Sequence, residues 1–163
     1  MRGDRLRLTK GIRFFVSLTL LLSLLLSFGC GPKKIRVYES TPVPQVKGDI
    51  VQYAVTLLGR PYKSAAKGPD YFDCSGLVHY VYKRFDITLP SSTEGLSKIG
   101  HEISYGDVAV GDLVMFRIKR EGHVGIMINR LEFIHASRSR GVAIDSVDAG
   151  YWKKYFSHFR RVF

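Results

Sequence analysis

The feature that most constrains the fold is a change in hydrophobic periodicity along the chain. In two segments before residue 90, at about 50–58 and 74–85, apolar side chains recur at every third or fourth position, as they do in amphipathic helices. From about Asp107 onward they form short runs bounded by glycine and polar residues, as they do in strands. Helices followed by consecutive strands predict an α+β fold, with N-terminal helices packed on an antiparallel sheet of about five strands.

Two helices are predicted in the first part of the domain. The first begins near Gly48, with Asp49 as its N-cap, and ends before Gly59. The second begins at Cys74 and ends near Phe85. The strands are predicted at 111–117, 122–128, 131–136, 141–147 and 160–163.

The N-terminus has the parts of a secretory signal. Residues 1–13 are strongly basic, residues 14–28 carry no charge, and Gly29 precedes Cys30. The apolar run is shorter than the roughly 20 residues that a membrane-spanning helix needs. We therefore expect a cleaved signal peptide at 1–29, with a retained anchor as the alternative.

The residues before the expected cleavage point indicate a lipid anchor. Ser27-Phe-Gly-Cys30 resembles a bacterial lipobox, although Leu is usual where Ser27 stands. The resemblance implies that Cys30 is acylated and anchors the protein to a bacterial membrane. Residues 30–47 contain three prolines and no sustained period, which predicts a flexible tether. The predicted organisation is a signal peptide at 1–29, the lipidated cysteine and tether at 30–47, and one domain at 48–163.

The net charge of the domain limits the kinds of molecule or surface that it is expected to bind. Removal of residues 1–29 takes away five basic side chains and one acidic one, which lowers the formal net charge from +11 to +7. A basic exported domain suits a polyanionic surface such as cell wall or anionic lipid, and export argues against nucleic acid. A basic surface that is merely solvated is the alternative.

The chain has two cysteines, and each has a candidate role. If lipidation consumes Cys30, Cys74 is left as a free thiol in an oxidising compartment, which indicates a reactive group. A disulfide between the two is the alternative. The cysteines and histidines lack the spacing of a zinc site, so we expect neither a metal nor another cofactor.

Hydrolysis of an amide by a thiol needs a thiolate, a base beside it and a group that orients the base. Asp73 is predicted as the N-cap of the helix that begins at Cys74. The helix dipole and the free N–H groups at this position favour a thiolate at neutral pH. The same N–H groups could form an oxyanion hole.

The base is sought among five histidines. His123 and His135 lie on consecutive predicted strands, and a hairpin near Asn129 would bring them to one face of the sheet. Gly125 would leave room there for a thiol or a substrate. His79 points to another side of its helix, and the other two histidines are expected at the exposed surface. On this pattern alone, a structural role for the two strand histidines stays open.

Four short motifs stand out in the predicted domain. They are Asp73-Cys-Ser-Gly-Leu-Val78, Gly111-Asp-Leu-Val-Met-Phe116, Gly122-His-Val-Gly-Ile126 and Phe133-Ile-His-Ala-Ser137. In this order they resemble the motifs of the NlpC family, papain-like cysteine peptidases of bacterial cell walls. The resemblance covers the whole predicted domain and implies a papain-like NlpC-type fold. It also implies that Cys74 is the nucleophile, His123 the general base and His135 the residue that orients the base.

The resemblance implies further contacts around the nucleophile. Tyr62 matches a tyrosine whose hydroxyl assists at the oxyanion or the substrate, with an ordinary half-buried tyrosine as the alternative. Asp73 and Ser75 flank the nucleophile and are expected to contact the stem peptide, although Asp73 could be only an N-cap. The chain departs from the family at Ser64-Ala-Ala66, where an aromatic residue and two glycines are usual, and at Ser91, where arginine is common. We expect these departures to alter specificity.

The predicted function is that of a cysteine-type peptidoglycan endopeptidase. Its expected substrates are amide bonds in stem peptides or cross-links, either D-Glu–diaminopimelate or diaminopimelate–D-Ala. The expected protein is a monomer, held by its lipid anchor at the outer membrane or elsewhere in the cell envelope, with the domain facing the wall. An amidase or acyltransferase on the same scaffold and a non-catalytic wall-binding lipoprotein are the alternatives.

Overall fold

The computed structural model describes residues 43–163. The predicted signal peptide, Cys30 and most of the predicted tether therefore lie outside the described residues. No helix in the described part is long and apolar enough to cross a membrane. The helices are α1 (Val43–Val55), α2 (Cys74–Lys83), α3 (Thr93–Leu96) and α4 (Gly150–Tyr155), with one 3₁₀ turn at Tyr105–Asp107.

The described residues contain six strands, which are β1 (His101–Ile103), β2 (Leu113–Ile118), β3 (Glu121–Met127), β4 (Glu132–Ser137), β5 (Gly141–Ser146) and β6 (Phe156–Arg161). They form one sheet in the order β1-β6-β2-β3-β4-β5, and every neighbouring pair is antiparallel. The predicted α+β fold is therefore confirmed, with one strand more than expected.

The C-terminal part of the chain differs most from the predicted strands. The last strand begins at Phe156 instead of Arg160, and it lies between β1 and β2. The short strand β1 and the helix α4 were not predicted. All three elements depend on partners that are distant in sequence, because β6 pairs with β1 and β2 and α4 packs on β2. Local periodicity carries no information about such pairing.

The predicted boundary between tether and domain near Gly48 is wrong. Helix α1 begins at Val43, so Asp49 lies inside the helix and is not its N-cap. Pro44, one of the three prolines that suggested a tether, lies in the first turn of α1, where a missing N–H costs no intrahelical hydrogen bond. Lys47 belongs to the folded domain, because its Nζ donates a hydrogen bond of 3.1 Å to the buried Asp112.

The sheet has an apolar cluster on each face. Leu113 and Met115 of β2 join α1 and α2 in one cluster, whereas Val114 and Phe116 join Trp152 of α4 in the other. This alternation follows from the two-residue period of a strand. The continuous apolar run in β2 thus reflects a strand that is buried on both faces.

Strands β3 and β4 separate at one end, which opens the cleft of the domain. Their ladder contains only the pairs Ile126–Ile134 and Met127–Phe133. The hairpin turns at Asn129, as predicted. The Asn129 Oδ1 accepts hydrogen bonds from the backbone N–H groups of Leu131 and Glu132. Helix α2 packs on both strands. The histidines of β3 and β4 therefore lie beyond the paired segment.

Candidate active site

Cys74 is the first residue of α2 and is a half-buried free thiol. It lines a cavity of about 530 Å³ together with Tyr62, His123, His135 and residues of the β4–β5 turn. The start of the helix fixes its position: Asp73 is the N-cap, and its Oδ1 accepts a hydrogen bond of 2.6 Å from the Gly76 N–H. The predicted nucleophile and the two predicted strand histidines thus meet at one cavity.

Asp73 and Ser75 form an internal network and do not line this cavity. The Ser75 hydroxyl lies 3.0 Å from both Asp73 Oδ1 and the Ser91 carbonyl oxygen. Lys67 Nζ donates to both carboxylate oxygens of Asp73, at 3.2 and 3.0 Å, and to the Ser91 carbonyl at 2.7 Å. This geometry favours the N-cap role of Asp73 over contact with a substrate.

The side chains of the two strand histidines lie within hydrogen-bonding distance of each other. His123 Nε2 lies 2.9 Å from His135 Nδ1, and His135 Nε2 lies 2.9 Å from Asp145 Oδ2 on β5. His135 is buried, with only 1% of its surface exposed. The register places the two histidines diagonally instead of opposite one another, because the partner of residue 126 is residue 134.

Asp145 and Trp152 belong to this site and were missed by the sequence analysis. Asp145 Oδ2 accepts hydrogen bonds from the Arg140 guanidinium at 2.5 Å and from Trp152 Nε1 at 2.9 Å. The Trp152 ring stacks on His123 with a centroid distance of 5.2 Å and an interplanar angle of 27°. The sequence held a weak signal for Trp152, because this residue is the only tryptophan of the chain.

The other histidines lie away from the cavity, as predicted. His79 Nδ1 is 2.7 Å from the Leu89 carbonyl oxygen, and His101 is exposed on β1. The expectation for Gly125 is wrong. A Cβ at this position would lie 2.4 Å from the Phe133 ring and 3.0 Å from the Ile134 carbonyl, so the space is filled by β4.

Burial dominates the electrostatics of the candidate nucleophile and base. It raises the pKa of the Cys74 thiol, and Asp73 adds to this rise; the Thr93 hydroxyl and the backbone N–H groups of Val124 and Ser75 oppose it. Burial also lowers the pKa of His123 to about 3, with a smaller contribution from His135. The resting pair is therefore a neutral thiol and a neutral imidazole. The shift of the Cys74 pKa does not support the expected thiolate at neutral pH, because burial opposes ionisation of the thiol.

The chain of side chains behind His123 fixes its tautomer. Burial opposes ionisation of Asp145, but hydrogen bonds from Arg140, His135 and Trp152 outweigh it and lower the pKa of this carboxyl. Burial also lowers the pKa of His135, so this imidazole is neutral and its Nε2–H donates to Asp145. His135 Nδ1 must then accept from His123 Nε2–H. The Nδ1 atom of His123 is left as the proton acceptor.

Tyr62 lines the cavity together with Arg138. Interaction with Tyr62 and with the nearby charge of Glu121 raises the pKa of Arg138. Arg138 also donates to Glu121 Oε2 at 2.6 Å.

The two departures from the family pattern lie outside this cavity. Ser64-Ala-Ala66 line a separate loop cavity of about 320 Å³. Ser91 takes part only in the network with Lys67 and Ser75.

An α+β domain with a cysteine at a helix start and two linked histidines on the adjacent sheet has the arrangement that thiol-dependent hydrolases use. Between Val43 and Phe163, no group of three or more His, Cys, Asp or Glu side chains could hold a metal ion. Fold and site together define an α+β domain that brings a free thiol and two linked histidines to one cavity.

Comparison with known proteins gives the family. The sequence pattern described as "NlpC/P60 family" matches residues 59–161, and the chain belongs to this family. It is 38% identical over 119 residues to the murein DD-endopeptidase MepS/murein LD-carboxypeptidase of Escherichia coli K12, covering 72% of this chain but only 63% of that protein. It is 35% identical over 152 residues to the probable endopeptidase NlpC of the same organism, covering 88% of this chain and 97% of that one.

The fold has the same relatives. A crystal structure of an NlpC/P60 family protein from Bacillus cereus superposes with a TM-score of 0.67 at 28% identity, covering 71% of this chain and 40% of that chain. The NlpC/p60 domain of the peptidoglycan hydrolase SagA superposes with a TM-score of 0.62 at 27% identity, covering 71% of this chain and 97% of that one. The predicted NlpC-type fold is confirmed.

Proposed function

We propose that this protein is a cysteine-type peptidoglycan endopeptidase, with Cys74 as nucleophile and His123 as general base. The observation that carries the proposal is that Cys74 shares one cavity with the chain His123–His135–Asp145. Such a set supplies a nucleophile, a base and groups that orient the base. The names of the relatives MepS and NlpC support an endopeptidase of the cell wall.

The proposed reaction begins with two neutral groups. As Cys74 Sγ attacks the substrate carbonyl, its proton passes to Nδ1 of His123, and the resulting imidazolium donates through Nε2–H to His135. His135 keeps its own Nε2–H on Asp145, whose negative charge stabilises the pair of rings. The proton on His123 then goes to the leaving amine, and water releases the acyl group from Cys74.

The carbonyl oxygen needs hydrogen-bond donors while it carries negative charge. The backbone N–H of Cys74 is one candidate, because it lies at the helix start. The Gly76 N–H is already bound to Asp73. Tyr62 is the second candidate donor, since its side chain lines the cavity together with Cys74.

For the substrate, we propose peptide cross-links of polymeric wall. The name DD-endopeptidase of the relative MepS favours a bond between two D-centres, such as diaminopimelate–D-Ala; the D-Glu–diaminopimelate bond is the second candidate. The same relative is also named an LD-carboxypeptidase, so removal of a terminal residue from a stem peptide is a further candidate activity.

Digestion of purified sacculi tests the proposal, with mass spectrometry to identify the new termini. Wild-type protein should release cross-linked stems as monomers, whereas Cys74→Ala and His123→Ala should release none, and His135→Ala should keep a small residual activity. His79→Ala is the matched control and should be as active as wild type. Equal digestion by wild type and Cys74→Ala would refute the cysteine-peptidase assignment. If the protein digested only soluble stem peptides, its function would be the recycling of wall fragments and not the remodelling of the wall.

We further propose that Cys30 is the lipidated residue and that the protein is anchored in the cell envelope. The support is the sequence Ser27-Phe-Gly-Cys30 after an uncharged apolar run. Globomycin, which blocks lipoprotein signal cleavage, should make the precursor accumulate. Unchanged processing, or a mature N-terminus at another residue, would refute the anchor.

A further inference from the structure

One side chain touches the candidate nucleophile without belonging to any of the four motifs. Thr93 Oγ1 lies 3.6 Å from Cys74 Sγ, within hydrogen-bonding distance for sulfur. Thr93 is the first residue of α3 and is half-buried. Sequence position alone gives no hint of this contact, since the two residues are separated by 19 positions.

The segment before α3 is fixed to the nucleophile helix. The Ser91 carbonyl accepts hydrogen bonds from Lys67 Nζ at 2.7 Å and from the Ser75 hydroxyl at 3.0 Å. Ser92 caps α3, because its Oγ accepts from the Gly95 N–H at 3.1 Å. These bonds place the backbone of Thr93 relative to the start of α2.

The methyl group of Thr93 lies against the strand that carries the base. A Cβ at Gly122 would lie 2.8 Å from Thr93 Cγ2, so the strand approaches this methyl closely. Gly122 immediately precedes His123. Thr93 therefore contacts the nucleophile through its hydroxyl and the neighbour of the base through its methyl.

We propose that Thr93 is a catalytic residue whose hydroxyl donates a hydrogen bond to the Cys74 thiolate; this inference rests on the proposed function of Cys74 as nucleophile. In the resting thiol, either Sγ or Oγ1 can be the donor. Once the proton has passed from Sγ to His123, only the hydroxyl can donate, and a hydrogen bond to an ionised acceptor is stronger than one to a neutral acceptor. The contact therefore favours the reactive, charged form.

The other groups around the thiol do not replace this donor. The ionisable neighbours are Asp73 at the helix start, whose charge disfavours a thiolate, and His123 and Tyr62, which line the same cavity. Lys67 is engaged with Asp73 and Ser91. The backbone N–H groups of Val124 and Ser75 favour the thiolate in the same direction as Thr93, but they are common to every side-chain variant at position 93.

Two substitutions separate the hydroxyl from the methyl. Thr93→Val keeps the shape and the methyl but removes the hydroxyl, whereas Thr93→Ser keeps the hydroxyl and removes the methyl. The measurement is the pH dependence of alkylation of Cys74 by iodoacetamide, read at the Cys74 peptide by mass spectrometry, together with kcat/KM on a cross-linked stem peptide. We expect Thr93→Val to raise the midpoint of alkylation by about one pH unit and to lower kcat/KM by roughly tenfold. Thr93→Ser should stay within about twofold of wild type in kcat/KM.

The two measurements separate this inference from the proposed function. Hydrolysis by wild type with equal midpoints in wild type and Thr93→Val would overturn the role of Thr93 alone. An impaired Thr93→Ser beside a normal Thr93→Val would also overturn it, since packing of the methyl would then be the contribution. A wild-type protein that hydrolyses neither sacculi nor stem peptides would refute the proposed function and the catalytic role together, whatever the midpoints.

Discussion

Two aspartates gather hydrogen bonds in different regions of the domain, and their surroundings differ in kind. The Asp112 side chain is fully buried beside β2, and it binds Lys47 of α1 at 3.1 Å, Arg161 of β6 at 2.7 Å and the Ala109 N–H at 2.9 Å. The Asp145 side chain is 18% exposed at the cavity. Its partners are Arg140, Trp152 and the imidazole of His135.

The difference lies in what the partners can do. Lys47 and Arg161 are cations that come from the first helix and the last strand, so the Asp112 cluster ties together segments that are far apart in sequence. His135 is neutral, and its other nitrogen meets His123. A carboxylate among fixed cations stabilises the fold, whereas a carboxylate behind a neutral imidazole orients a base. The following predictions test that division.

The largest effect is expected from Asp112→Asn. The substitution leaves the buried Lys47 and the partly exposed Arg161 beside a neutral amide. Loss of one partner of a buried ion pair costs about 3–5 kcal/mol. Urea denaturation should show this loss of unfolding free energy, with hydrolysis by the folded fraction near the wild-type rate. The control is Asp70→Asn, since the Asp70 side chain is 71% exposed and should contribute less than about 0.5 kcal/mol. A catalytic defect in folded Asp112→Asn would contradict the assignment of Asp112 to stability and of Asp145 to the orientation of the base.

Asp145→Asn should have the opposite profile. The amide removes the charge behind His135 and can present an N–H to it, which favours the wrong tautomer of the two imidazoles. We expect kcat/KM to fall by roughly 10- to 100-fold, the usual range for a residue that orients a functional group. Unfolding free energy should change less than in Asp112→Asn, because Asp145 is partly exposed. If stability falls more than activity, Asp145 is a structural residue like Asp112.

The two regions should also differ in the pH range over which they contribute stability. The imidazoles of His123 and His135 have lowered pKa values in the fold, so the unfolded chain binds more protons below its histidine pKa of about 6.5. Stability should therefore fall from about pH 6.5 down to about pH 3, the pKa of His123 in the fold, and His123 alone should account for about 1.4 kcal/mol at pH 5.5. His135 contributes in the same direction.

Asp112 acts at lower pH. Burial opposes its ionisation, but Arg161, the Ala109 N–H and Lys47 outweigh burial and hold the pKa of Asp112 below its usual range. Its stabilisation is present above about pH 4 and is lost as the pH falls further. Urea denaturation at pH 7.5, 5.5 and 3.5 checks both ranges. His123→Gln should flatten the decline from pH 7.5 to 5.5, whereas Asp112→Asn should leave that decline unchanged and reduce only the part below about pH 4. The reverse assignment would contradict these roles.

The smallest effect is expected from Trp152→Phe. Phenylalanine keeps an aromatic ring beside His123 but cannot donate to Asp145, and one hydrogen bond to a charged acceptor is lost. Because Arg140 still binds the same oxygen, we expect a fall in kcat/KM of roughly threefold to tenfold. Tyr151→Phe, which also lines the cavity, serves as the control and should be nearly silent. An unchanged rate in Trp152→Phe would mean that Trp152 contributes only packing.

Features that depend on residues close together in the sequence were predicted correctly. The helix start at Cys74 and the hairpin at Asn129 were predicted from residues within a few positions, and the structure agrees. The start of α1 was wrong, because a segment with prolines was taken for a tether although Lys47 has a buried partner 65 positions away. The space beside Gly125 was also misjudged, because it depends on which side chain of β4 fills it.

The sequence by itself determined the α+β fold, the position of Cys74 at a helix start and the pair of histidines on consecutive strands. These features follow from periodicity, capping and chain order, which act over a few residues. Only the tertiary structure decided that β6 lies between β1 and β2, that Asp145 stands behind His135, and that Thr93 reaches Cys74. It also decided the burial of the thiol by segments distant in sequence, and this burial raises the pKa of Cys74.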